Sequence, residues 1–350
     1  MFHERLKLAR RCKGLSLRNL ATRINGAVSA QAIGKYERGE MMPSSTVCIA
    51  LSKALGVSVS YLLSPSDIVL ENVEFRKLVS TKARERALVE GAVLDHVDRY
   101  LQIEELLNLS SVQWDQPAET PFPVHGPEDI EHAAESVRSA WNLGGDPILD
   151  MTELLEERGI KVLKLDFPSS VDGFTCNIRR SGTDGVPTVI CSTNKSIERQ
   201  RFTLAHELGH LLLDVKGGFD AEKACQRFAS AFLVPREELF GEVGTGRHAF
   251  GYGEIIEIKK MFGVSAAALV VRFRDLGIIN EATLRKIFSG MGRHWRKQEP
   301  SPLERDESPR RFQRLCFRAL AEKAISGSKA AELMGLPVSK MERILSGPLE

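Results

Sequence analysis

The run RQRFTLAHELGHLLLD at residues 199–214 constrains this chain more than any other stretch. Its apolar positions recur at helical spacing, so Leu204, Leu208, Leu211 and Leu212 are expected to anchor one helix in a core. On that helix His206 and His210 lie one turn apart and present both imidazoles to the same side. That is the spacing for two ligands of one tetrahedral zinc. Glu207, beside the first histidine, is placed to take a proton from a water at such a metal and to pass it to a leaving amine. Gly209 reads as leaving space beside the metal.

A third ligand has to come from outside this pair. After a Gly217-Gly218 turn, DAEKACQRFASAFLVP (220–235) reads as a second helix, with Asp220 as its cap. Glu222, Gln226, Ala229 and Leu233 then share one face. Glu222 in the first turn is the favoured ligand, which leaves a fourth position open for water. Asp214, four residues after His210, is a rival, and Asp220 a weaker one. The competing account makes Glu222 a carboxylate that only complements the helix dipole, and the histidines a satisfied core pair.

These two runs resemble the ImmA/IrrE family of bacterial metallopeptidases over roughly residues 130–280. The family pattern after the zinc helix is E-x-x-A-N-x-F-A-x-x-x-L-x-P. Glu222, Phe228, Ala229, Leu233 and Pro235 match it, and Cys225 and Gln226 depart from its Ala and Asn. The stretch MFGVSAAALVVRFRDLGII (261–279) resembles the helices that close the domain in relatives. The resemblance implies His206, His210 and Glu222 as ligands of one Zn2+ per chain, Glu207 as catalytic base, and a zincin-like fold with a small β-sheet. It implies a hydrolase that cleaves transcriptional repressors. Cys225 is expected to pack between helices rather than to bind metal.

The first 65 residues carry four Lys and six Arg against three Glu, although the whole chain has a net charge of only +2. A basic module on a slightly acidic body suits phosphate binding. Within it, LSLRNLATRI (15–24) reads as a helix with Ser16 as cap, and Asn25-Gly26 as a turn. SAQAIGKYERG (29–39) reads as a second helix, capped by Ser29 and stopped at Gly39. Leu6, Leu8, Leu17, Leu20, Ile24, Ile33, Ile49, Leu51, Leu55 and Leu62 supply the helical periodicity. Ala21 permits a close helix crossing, and this is the layout of a helix-turn-helix whose second helix enters the major groove. Residues 1–65 resemble the phage-repressor-like (XRE) helix-turn-helix family, notably in YERGEMMPSS and LSKALGVSVSYLL. The resemblance places Ser29, Ala30 and Gln31 near base edges. It places Arg18, Lys35, Arg38, Ser44 and Ser45 near phosphates, and it implies a homodimer on a double-stranded DNA operator. Gly34, inside the recognition helix, costs about 1 kcal/mol relative to Ala and is expected to leave room for DNA or a neighbouring helix.

A chain of 350 residues suggests two or three domains. The expected architecture is α+β and mainly helical. It comprises an all-α DNA-binding domain (1–65), a helical connector and Pro-rich linker (66–127), the metallopeptidase domain (128–280), and a basic segment with a helical tail (281–350). The connector stripe is Val89, Val93, Val97 and Leu101, and the linker proper is DQPAETPFPVHGP (115–127), with four prolines. Strands are expected at 160–167, 173–180 and 187–194, the last two as a hairpin with a turn at 181–185. The tail half SKAAELMGLPVSKMERI (328–344) has the rhythm of another helix-turn-helix, which would add a DNA contact; packing on the peptidase or supporting a dimer is the plainer expectation. The six cysteines contain no C-x-x-C pair, which fits a reducing cytoplasm, and the charged N-terminus is not a signal peptide. Two functions are open: a DNA-binding regulator with a zinc endopeptidase that cleaves or senses a regulatory protein, or a non-proteolytic repressor and antitoxin that autoregulates its operon and neutralises a toxin.

Overall fold

A computed structural model describes residues 2–63, 68–71, 83–166, 172–180 and 185–347. The chain is mainly helical with small sheets and divides into two compact units. Unit 1 comprises residues 1–112, 176–186 and 309–350; unit 2 comprises 113–175 and 187–308. No helix among the described residues is long and apolar enough to cross a membrane.

Unit 1 begins with α1 (Phe2–Cys12), α2 (Leu17–Arg23), α3 (Ala30–Glu37), α4 (Ser45–Leu55) and α5 (Val59–Leu63). Each predicted start has its cap: Ser16 accepts from the Asn19 amide and Ser29 from the Ala32 amide, both at 3.1 Å. Asn25 and Gly26 take the left-handed backbone that the turn needs. Leu6, Leu20, Ile24, Ile33, Leu51, Leu55 and Leu62 are buried in one cluster. Ile49, expected on that apolar stripe, is 45% exposed, because Cys48, Leu51 and Leu55 already fill the inward face of α4.

Strand β1 (Ile68–Glu71) and the helix α6 (Ala83–Leu106) follow. Val89, Val93 and Val97 are buried as expected, and Leu101 is half-buried. Helix α1 packs on α6, where the Arg5 guanidinium pairs with Asp98, both buried, and lies over the Tyr61 ring. The far end of α6 meets the tail helices α15 (Arg311–Ala321) and α16 (Gly327–Met334), and α17 (Val338–Leu345) packs on α16. Tyr100 and Ile103 of α6 share a core with Phe312, Leu315, Cys316 and Met341. The tail therefore builds on the connector helix. Residues 177–180 of strand β4 (Gly173–Arg180) pair antiparallel with β1.

Unit 2 opens with β2 (Phe122–Val124), α7 (Pro127–Ala140) and α8 (Met151–Glu157). Then come β3 (Lys161–Leu165), β5 (Val186–Ser192), α9 (Ile197–Leu212), β6 (Leu213–Val215) and α10 (Ala221–Leu233). Helices α11 (Arg236–Val243), α12 (Tyr252–Phe262), α13 (Ala266–Asp275) and α14 (Glu281–Ser289) complete it. Strands β3 and β5 pair in parallel, with Lys161 opposite Thr188 and Leu165 opposite Ser192. The expected turn at 181–185 lies mostly outside the described residues, as does Phe167 of the expected strand 160–167.

The expected linker is structured. Phe122 and Val124 are buried and flank an exposed Pro123, and β2 pairs in parallel with β6. Proline is tolerated on such an outer strand because it has no amide to give. Pro127 is the first residue of α7, where a missing amide costs nothing. Two of the linker's four prolines thus mark a strand edge and a helix start.

Two buried ion pairs fix α9 ahead of its histidines. Glu198 accepts from Lys259 of α12 at 2.9 Å, and Arg201 donates to Glu307, whose other oxygen accepts from the Met151 amide at 3.1 Å. A third buried group ties α7, α10 and α13 together: Glu131 accepts from Arg272 at 2.7 and 2.8 Å and from Arg227 at 3.0 Å.

Candidate metal centre and nucleic-acid interface

Helix α9 starts at its cap Ser196 and buries Leu204, Ala205, Leu208 and Leu212 completely. His206 and His210 leave that core on one side, with Nε2 atoms 3.1 Å apart. Asp220 caps α10, accepting from the Glu222 and Lys223 amides at 3.0 and 3.3 Å. Glu222 is thereby set in the first turn, facing α9. Its Oε2 lies 3.4 Å from His206 Nε2 and its Oε1 3.4 Å from His210 Nε2.

These three donor atoms lie close enough together to hold one metal ion. A tetrahedral zinc bound at about 2.0–2.2 Å holds its donors roughly 3.3–3.6 Å apart. The observed 3.1, 3.4 and 3.4 Å lie close to that range. Two imidazoles and a carboxylate are also a donor set that zinc favours. The histidine side chains are under 10% exposed while Glu222 is 47% exposed, so the group opens toward solvent on the α10 side.

Asp214 is not in this group. Helix α9 ends at Leu212, and pairing with β2 turns residues 213–215 into a strand, so the four-residue helical spacing from His210 is lost. The Asp214 carboxylate pairs instead with Lys216 at 2.7 Å. Asp220 is occupied by its capping bonds.

Gly209 has a different role from the one its sequence position suggested. A Cβ built there would lie 3.2–3.3 Å from Phe228 and Cys225 of α10. The missing side chain lets α10 approach α9, and this approach brings Glu222 to the histidines. Cys225 is buried at that crossing, as the packing expectation has it. Glu207 is wholly buried and is not one of the three clustered donors. Burial pushes the thiol of Cys191 in β5 up to about 12, and the Glu207 charge adds to the rise. Sequence reasoning missed the Glu131 clamp behind α10; three charged residues on otherwise apolar helix faces were the available signal.

In unit 1, a cleft between α2 and α3 is lined by Leu17, Arg18, Ala30, Gln31, Gly34, Lys35 and Arg38. Gln31 and Lys35 are exposed one turn apart. Ser29 accepts from the Ala32 amide with one lone pair and retains its second lone pair and its hydroxyl proton for a partner. Arg38 is committed to Glu40 by two hydrogen bonds. A Cβ on Gly34 would meet the Arg38 guanidinium at 3.2 Å and Leu17 at 3.5 Å, so the glycine accommodates neighbours within the domain. Ser44 and Ser45 lie apart from the cleft, exposed at the start of α4, where Ser44 accepts from the Val47 amide at 3.4 Å.

Comparison with known proteins matches two segments of the chain. Residues 6–62 match the helix-turn-helix family model, and residues 155–274 match the model of the IrrE N-terminal-like domain. Over 63 residues the chain is 41% identical to the SPbeta prophage-derived uncharacterized HTH-type transcriptional regulator YonR of Bacillus subtilis (strain 168). That match covers 18% of this chain and 56% of the relative. No solved structure matches.

Proposed function

We infer, from a chain that joins a helix-turn-helix domain to an IrrE N-terminal-like domain, that this protein is a DNA-binding transcriptional regulator whose second unit is a zinc-dependent peptidase acting on a regulatory protein. The observation that carries the peptidase half is the convergence of His206, His210 and Glu222, whose donor atoms are spaced for one tetrahedral ion. These three would hold the zinc. When bound, zinc supplies Lewis acidity, polarising a peptide carbonyl and easing removal of a proton from water. Glu207 is the group that accepts that proton and returns it to the leaving amine. Its burial keeps the transfer away from bulk solvent.

The regulatory half rests on α3. Gln31 bonds an adenine edge in bidentate fashion, and Arg18 and Lys35 steady the domain on phosphates. Two copies bind a palindromic operator as a homodimer.

Operator selection followed by footprinting tests this half. Gln31→Ala is expected to weaken the selected operator by about 1–3 kcal/mol, or roughly 5- to 150-fold, and to relax preference at one base pair per half-site. Equal affinity and equal base preference in that variant would remove Gln31 from the interface. Because the substitution lies outside unit 2, hydrolysis is expected to be unaffected.

A further inference from the structure

Neither family match reaches residues 309–347, yet they repeat the design of α2 and α3. Five residues after the cap Ser16 stands Ala21; five after the cap Ser326 stands Ala331, buried where the helices cross. The first turn uses Asn25 and Gly26 in the left-handed region, and the second uses Gly335, at φ +65°. Four residues after the cap Ser29, Ile33 plugs the core; four after the cap Pro337, Met341 does the same. Helix α1 completes the first trio, and α15, packed on α16, completes the second. A turn of three residues, 335–337, containing glycine is the usual connection in a helix-turn-helix.

The outward face of α17 shows what it would bind. Ser339, Lys340 and Arg343 are exposed, and among the described residues no carboxylate pairs with either cation. Residues 309–347 hold eight Lys or Arg against three Glu. Val338, exposed at the first position of the helix, is an apolar group of the kind that meets thymine methyls. A second copy of this chain is a poor fit, because a symmetric pairing would oppose like cations.

We propose that residues 309–347 form a second helix-turn-helix that binds duplex DNA, with α17 at the major groove and Lys340 and Arg343 on phosphates. It stands on residues separate from those of α3, and it requires nothing of the peptidase reading.

The test is the salt dependence of full-length protein binding to a mixed-sequence duplex of roughly 30 base pairs, long enough for several phosphate contacts. K340A/R343A is expected to flatten the slope of log K against log salt by about 1.8, near 0.9 per lost contact. K340R/R343K is expected to keep the slope. Both positions are exposed, and circular dichroism verifies that the helices persist. An unchanged slope in K340A/R343A, while R18A/K35A flattens it, confines DNA contact to α2 and α3 and overturns the proposal. An unchanged slope with an altered sedimentation coefficient assigns α17 to chain association and also overturns it. A slope that falls with K340A/R343A but not with R18A/K35A sustains this proposal and removes the α3 reading instead.

Discussion

Glu207→Gln is expected to lower peptide hydrolysis by about 10²- to 10⁴-fold, the usual worth of a general base. Glutamine keeps the size and the hydrogen-bonding outline of the side chain but has no site of comparable basicity. The isosteric change matters because Glu207 is wholly buried on α9, so that alanine would add a cavity to the chemical loss. The fall should appear in kcat against a quenched fluorescent peptide library, with KM little altered. Zinc content should match the parent, because Glu207 is not among the three clustered donors. Operator affinity should match too, because Glu207 lies in the other unit. A variant that hydrolyses peptides at the parental rate would take Glu207 out of the reaction.

Arg272→Ala is expected to destabilise unit 2 by about 3–5 kcal/mol, since it leaves a buried carboxylate short of its main partner. Arg272 and Glu131 are nearly inaccessible and joined by two hydrogen bonds, and Arg272 also donates to the Val234 carbonyl at 3.1 Å. Thermal unfolding followed by circular dichroism reads the loss. Replacing both partners, in E131Q/R272M, is expected to cost much less than the single change, because no fully buried charge is left unpaired and the partly exposed Arg227 keeps its bond to the Asp275 carbonyl. Equal stability of Arg272→Ala and the parent would contradict the clamp.

The same clamp sets an acid limit. Burial alone would raise the Glu131 carboxyl, but the Arg272 hydrogen bonds and the charges of Arg272, Arg227 and Arg236 hold it below its ordinary value. A carboxyl depressed on folding contributes stability that is complete above its unfolded pKa of about 4.3 and lost as pH falls through the lower folded value. The unfolding temperature of the parent should therefore drop more steeply below about pH 4 than that of E131Q/R272M.

Much of the site was legible because its determinants are local. The histidine spacing, the Asp220 cap and the Ser16 and Ser29 caps are all set within four residues. The position of Asp214 was not legible. It depends on β2 pairing with β6, a contact between residues 122–124 and 213–215 that no local pattern announces. The same pairing ties the proline cluster, read as a linker, into unit 2. Gly209 was misread for a related reason: its neighbour is a helix reached through a loop, and the sequence offers no measure of that approach. Gly34 likewise makes room for Leu17 and Arg38, which only the crossing of α2 and α3 brings to it.

Elemental analysis of the purified full-length chain, beside Glu222→Ala and Asp214→Ala, tests the metal centre most directly. The parent and Asp214→Ala should each carry close to one zinc per chain. Glu222→Ala should retain little after dialysis, with affinity lowered by more than the roughly 10- to 100-fold that a supporting residue commands. Equal zinc in Glu222→Ala and the parent, or no zinc in the parent at metal excess, would contradict a site built from His206, His210 and Glu222.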